Sequence, residues 1–126
     1  MQYLLLPLEL VEAIHDGVLN PGELRGRARD KSLEGALARV ENRIAYGLIG
    51  DAFDLAAACC VAVAQGHCFN EGNKRTAFRV MQTCLDLHGL AEPALSRDVV
   101  GQTVIRAAQG LMDEGALAEW LRSRCA

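Results

Sequence analysis

Aromatic side chains are scarce here, making up 5% of 126 residues. Alanine and leucine dominate instead, which favours helix over sheet. Charge of one sign is also lacking. The formal net charge is -3, which speaks against both a basic nucleic-acid surface and an acidic tail. No apolar run reaches the ~18 residues of a membrane-spanning helix. The segment Met1 to Leu10 has no basic start and contains Pro7 and Glu9. Neither a signal peptide nor a transmembrane span is expected, and the cytoplasm is the expected location. Metal-binding cysteine spacings are missing as well. Of the five cysteines, Cys59 and Cys60 adjoin in one apolar segment, Cys84 lies in another, and Cys68 and Cys125 stand apart. No CxxC or Cys/His spacing points to zinc, so buried or idle reduced thiols are expected. The length suits one domain, residues 1–126, with a sizeable core.

Hydrophobic periodicity divides the chain into about six helices. Leu8 to His15 forms a short amphipathic helix with Pro7 in its first turn, ended by Asp16-Gly17. His15 reads either as a functional residue or as the donor that closes the last turn, and the second is favoured. Between Asp16 and Lys31 the pattern dissolves at Gly17, Asn20, Pro21, Gly22 and Gly26. Arg25, Arg27 and Arg29 alternate there, which puts them on one side of an extended segment. That stretch reads either as a solvated loop or as a flap over a site. Ser32 caps a second helix carrying Leu33, Leu37, Val40 and Ile44, with Glu34 and Arg39 on its solvent side and a turn at Gly47 and Gly50. Asp51 caps a third, with Asp54 in its first turn. From Leu55 to Ala64 that helix is apolar all round, which belongs at the centre of a bundle. Gln65-Gly66 ends it, with Gly66 as the left-handed cap. A fourth helix runs from about Gly72 to His88, with Phe78, Val80, Met81, Cys84, Leu85 and Leu87 on its apolar face and His88 closing its last turn. Pro93 begins a connector. Ser96 caps a fifth helix with Val99, Val100, Val104 and Ile105 inward, ended by Gly110. Asp113 caps the last, with Leu117, Trp120 and Leu121 toward the core.

The chemistry concentrates between the third and fourth helices, in His67-Cys68-Phe69-Asn70-Glu71-Gly72-Asn73-Lys74-Arg75-Thr76. Gly72 and Asn73 tolerate backbone angles that turn successive N–H groups into one concavity, a seat for an anion. The fourth helix starts at the same spot and adds its free N–H groups and positive dipole end. Lys74 contributes mobile charge and Arg75 a bidentate fork for phosphate oxygens. Glu71 would repel a bare phosphate, but fits if magnesium bridges carboxylate and phosphate. His67 can take a proton from an attacking hydroxyl near neutral pH. Phe69 anchors the loop in the core. Together these residues point to transfer of a phosphate-containing group from a nucleotide to a hydroxyl.

The same string resembles the signature of the Fic/Doc family, His-x-Phe-x-(Asp/Glu)-(Gly/Ala)-Asn-(Gly/Lys)-Arg. His67, Phe69, Glu71, Gly72, Asn73, Lys74 and Arg75 match it. The likeness extends from about Ser32 to Gly89, including Ser32 to Arg39 and Ala45-Tyr46. Lys74 resembles the Doc branch, the toxins of addiction modules. Glu71 and Gly72 resemble the AMP-transferring branch, where glycine usually replaces the lysine. The resemblance implies an all-α Fic fold, a compact bundle with a central buried helix and an active-site loop. It implies ATP and magnesium as cofactors. His67 would be the general base and Glu71 the metal ligand. Gly72, Asn73, Lys74 and Arg75 would bind the nucleotide phosphates, with His67, Glu71, Lys74 and Arg75 forming the catalytic set. A lysine at position 74 is compatible with a reversed nucleotide that presents its γ-phosphate. The activity then implied is that of a toxin: a protein kinase acting on a Thr or Ser of a translation factor, by resemblance elongation factor Tu. The family's inhibitory helix motif is lacking, which fits control by a separate antitoxin that supplies a helix. AMP transfer by the same site stays open, as does an inactive binding module.

Overall fold

A computed structural model describes residues 3–91 and 95–125, so Pro93 and the start of its connector lie outside the described residues. Six helices follow one another: α1 (Leu8–Val18), α2 (Leu33–Ala45), α3 (Ala52–Gly66), α4 (Asn73–Leu87), α5 (Arg97–Ala108) and α6 (Glu114–Arg124). The all-α architecture agrees with the composition and the periodicity. Four helices start where short-range chemistry places them. Ser32 Oγ accepts from Gly35 N–H at 2.9 Å, Asp51 Oδ1 from Asp54 at 2.9 Å, Ser96 Oγ from Val99 at 3.3 Å and Asp113 Oδ1 from Ala116 at 2.8 Å. Each bond satisfies one of the donors a helix start leaves free.

α3 is the centre of the bundle, packed against α2, α4, α5 and α6. Every residue from Leu55 to Ala64 is buried. Seven of those ten side chains are alanine or cysteine, so neighbouring helices approach closely, and packing rather than one aromatic anchor fills the interior. Burial makes the thiols inert: Cys60 is pushed up to about 12, and Cys59, hydrogen-bonded to Cys84, is also raised. The N-terminal end of α3 is held by α6. Arg122 bonds Asp51 at 2.9 Å and Asp54 at 3.2 Å.

Several expectations are corrected. α1 continues past His15 and through Gly17 to Val18, because docking on α4 outweighs the ~1 kcal/mol helix penalty of glycine. α4 begins at Asn73 with Gly72 outside it as the cap. Leu87 is 47% and Val99 45% exposed. Each is out of phase with the buried stripe of its helix, Met81-Cys84-Leu85 in α4 and Val100-Val104-Ala107 in α5. His88 does close α4, its Nδ1 lying 2.8 Å from the Cys84 carbonyl. The left-handed residue after α3 is His67 (φ 49°, ψ 39°), not Gly66, which ends the helix itself. Gly66 answers a different need, since a Cβ there would sit 2.9 Å from Cys68 Sγ and 3.4 Å from Ala36 Cβ. Gly66→Ala is therefore expected to destabilise the fold by about 1–2 kcal/mol in urea denaturation, because overpacking exceeds the gain in helix propensity.

Candidate active site

The loop between α3 and α4 is closed by one side chain. Asn73 Oδ1 accepts from the Phe69 N–H at 3.0 Å, and Asn73 Nδ2 donates to the Phe69 carbonyl at 2.9 Å. The first residue of α4 thus ties down the middle of the loop before it. Phe69 itself is 3% exposed, and its ring stacks on His15 with centroids 3.8 Å apart and planes 8° from parallel. His15 does not close its own helix, which corrects the expectation from sequence. It reaches out of α1, with Nε2 2.7 Å from the Glu71 carbonyl.

The segment before α2 lies along the other side of the loop. Ala28 N–H donates to the Cys68 carbonyl at 2.8 Å and Asn70 N–H to the Gly26 carbonyl at 3.2 Å. Arg27 and Phe69 form a single antiparallel bridge. The three alternating arginines do not share a face. Arg27 is half-buried and paired with Glu12 and Glu34, while Arg25 and Arg29 are exposed. None of them lines the cleft described next.

That cleft, of about 360 Å³, is lined by His67, Glu71, Gly72, Asn73, Lys74 and Arg75, together with Glu23 and Ala64. All six polar-loop residues singled out from sequence as catalytic or phosphate-binding meet there. His67 is exposed. Gly72, at φ 81°, caps α4 without a side-chain hydrogen bond, so the first N–H groups of the helix are free for an anion. Glu71 accepts from the Leu24 N–H through Oε2 at 2.5 Å, leaving its other oxygen without a partner among the described residues. Those residues contain no cluster of three or more His, Cys, Asp or Glu able to hold a metal ion. A lone carboxylate suits magnesium, which keeps most of its shell as water and substrate phosphate.

Two participants were not read from the sequence. Arg75 donates to the Val18 carbonyl at 2.7 Å and to Glu23 Oε2 at 2.5 Å. The extra turn of α1 is what brings Val18 within reach. The Arg75 contact, followed by the Asn20 N–H, holds the Glu23 carboxyl below its ordinary range. That contact stabilises the fold fully above the usual carboxylate range and is lost only as pH falls through the lowered value. Glu23 thus occupies the fork of Arg75 as an internal anion. The other residue, set aside in favour of a helix-closing role, is His15. Its signal was available: it stands four residues after the buried Val11, in phase with the apolar face of α1.

Comparison with known proteins agrees with the geometry. A family model described as the Fic/DOC family matches residues 5–85. Protein kinase doc of Escherichia phage P1 is 36% identical over 120 residues, covering 92% of this chain and 90% of that protein.

Proposed function

The chain belongs to the Fic/Doc family, and from that premise we propose that it is a Doc-type toxin that transfers the γ-phosphate of ATP to a Thr or Ser hydroxyl of a translation factor. The observation that carries this reading is the single cleft lined by His67, Glu71 and the Gly72–Arg75 run. Elongation factor Tu is the first target to test. The protein acts as one domain in the cytoplasm and blocks translation there.

In this mechanism His67 takes the proton of the target hydroxyl as its oxygen attacks the γ-phosphorus. The bond to the bridging oxygen breaks and ADP leaves. Glu71 would hold magnesium, which neutralises charge on the phosphates. Free N–H groups at Gly72, Asn73 and Lys74 orient the phosphate chain, and Arg75 stabilises its developing charge, because phosphoryl transfer depends mainly on positioning and electrostatics. Lys74 is exposed and lines this cleft. It adds charge where glycine would leave room. Glu71 and Gly72 support a second reading, AMP transfer. Lys74→Gly separates the two: the product mass should shift from phosphate-sized to AMP-sized increments on the target.

Glu23 must leave Arg75 for the phosphates to bind. Glu23→Gln is therefore expected to tighten binding of Mg-ATP roughly fivefold by calorimetry, as expected for loss of one partly exposed ion pair. Control would come from an antitoxin helix. We place it in the apolar groove between α4 and α5, about 500 Å³ and lined by Phe78, Val104 and Ile105 as well as Lys74 and Arg75. A helix there would cover two phosphate-binding residues. Growth should stop on induction of the wild-type chain and continue with His67→Ala. Arrest by that variant would leave only a binding module.

A further inference from the structure

The geometry points to His15 as a positioning residue of the phosphate-binding loop, acting through the Glu71–Gly72 peptide and never touching the nucleotide. It rests on the reading above for what the loop binds.

His15 is 1% exposed, which is unusual for a histidine that only ends a helix. Its ring is fixed twice, by the stack on Phe69 and by the 2.7 Å contact to the Glu71 carbonyl. A carbonyl oxygen only accepts, so Nε2 carries the hydrogen and donates. Nδ1 has no comparable partner, since Asp16 Oδ1 lies 3.8 Å away. The contact to Glu71 is thus the one hydrogen bond of a buried imidazole among the described residues. The peptide between Glu71 and Gly72 is planar and trans, so its C=O and N–H point in opposite directions. Holding the carbonyl toward His15 turns the Gly72 N–H away from α1. His15 also backs the turn sterically: a Cβ on Gly72 would lie 3.7 Å from its ring and 3.4 Å from Leu19 Cδ2. Ring and donor therefore set the left-handed Gly72 that opens the phosphate seat, and α1 becomes part of the site's support.

Two variants separate the donor from the stack. His15→Phe keeps a ring against Phe69 and removes the donor. His15→Gln keeps an N–H near the Nε2 position. The loop is read first without any substrate, as amide hydrogen exchange at Gly72 and Asn73. His15→Phe should exchange faster there and His15→Gln should stay near the wild type. Mg-ATP affinity and turnover should follow, with His15→Phe losing roughly tenfold or more and up to about 100-fold. The Gln variant should be restored to within a few-fold. A purely structural role would lower the melting temperature of both and leave affinity per folded molecule unchanged. Unchanged exchange and affinity in a folded His15→Phe would overturn the inference. If that variant does not fold, the Gln variant decides: exchange and affinity near the wild type support the inference, and faster exchange at an unchanged melting temperature overturns it. Failure of the wild type to bind ATP would sink the functional reading, while the exchange data would still judge His15.

Discussion

Replacing His67 by alanine should lower phosphoryl transfer by about 10²- to 10⁴-fold, the usual worth of a positioned general base, and leave the fold intact. The side chain is exposed and makes no hydrogen bond among the described residues, so no packing is lost. What holds position 67 is the backbone. It is the one non-glycine residue at positive φ among the described residues, at 49°, and alanine suffers there about as histidine does. Glycine does not. His67→Gly should be equally inactive yet more stable by roughly 1 kcal/mol, the cost of a left-handed non-glycine residue. Urea denaturation of the three proteins, set beside their turnover, checks both halves. An inactive variant that gains stability is the mark of strain retained for function. Loss of stability in both would show instead that His67 supports the fold.

Asn73→Ala should act in the opposite way, on stability and activity together. Asn73 is the only hydrogen-bond partner of both the Phe69 N–H and the Phe69 carbonyl among the described residues, since the bridge to Arg27 is bonded through Cys68 and Asn70. Phe69 is 3% exposed, so water does not replace the lost bonds easily. Each buried group left unpaired costs about 1–3 kcal/mol. For the two groups a total of about 2–6 kcal/mol follows, or a fall of roughly 10–20 °C in melting temperature for a chain of this size. Asn73→Asp keeps the acceptor for the N–H but sets a carboxylate oxygen against the carbonyl, so it should not rescue. The contrast with His67→Ala is diagnostic: one residue reacts, the other shapes the loop. Thermal melts and transfer assays on the same preparations separate them.

How much of this could be read in advance depended on distance along the chain. Ser32, Asp51, Ser96 and Asp113 cap helices through bonds three residues long, so local chemistry sufficed. α3 announced itself because nothing between Leu55 and Ala64 is charged. The cleft residues were legible because six of its eight lining residues lie within His67 to Arg75. The failures are long-range. His15 meets Glu71 across 56 positions and Glu23 meets Arg75 across 52, and no periodicity encodes such a meeting. Gly66 and His67 failed for another reason. The rule that glycine takes the left-handed position is conformational, and at Gly66 a steric demand from Cys68 prevailed. The arginine alternation failed because Glu12 and Glu34 drew Arg27 aside.

The most direct test of the central claim is the intact mass of elongation factor Tu after incubation with this protein, ATP and magnesium. A phosphate-sized increment that appears with the wild type and vanishes with His67→Ala is the predicted result. An AMP-sized increment would contradict it, and would mean that Glu71 and Gly72 rather than Lys74 set the orientation of the nucleotide.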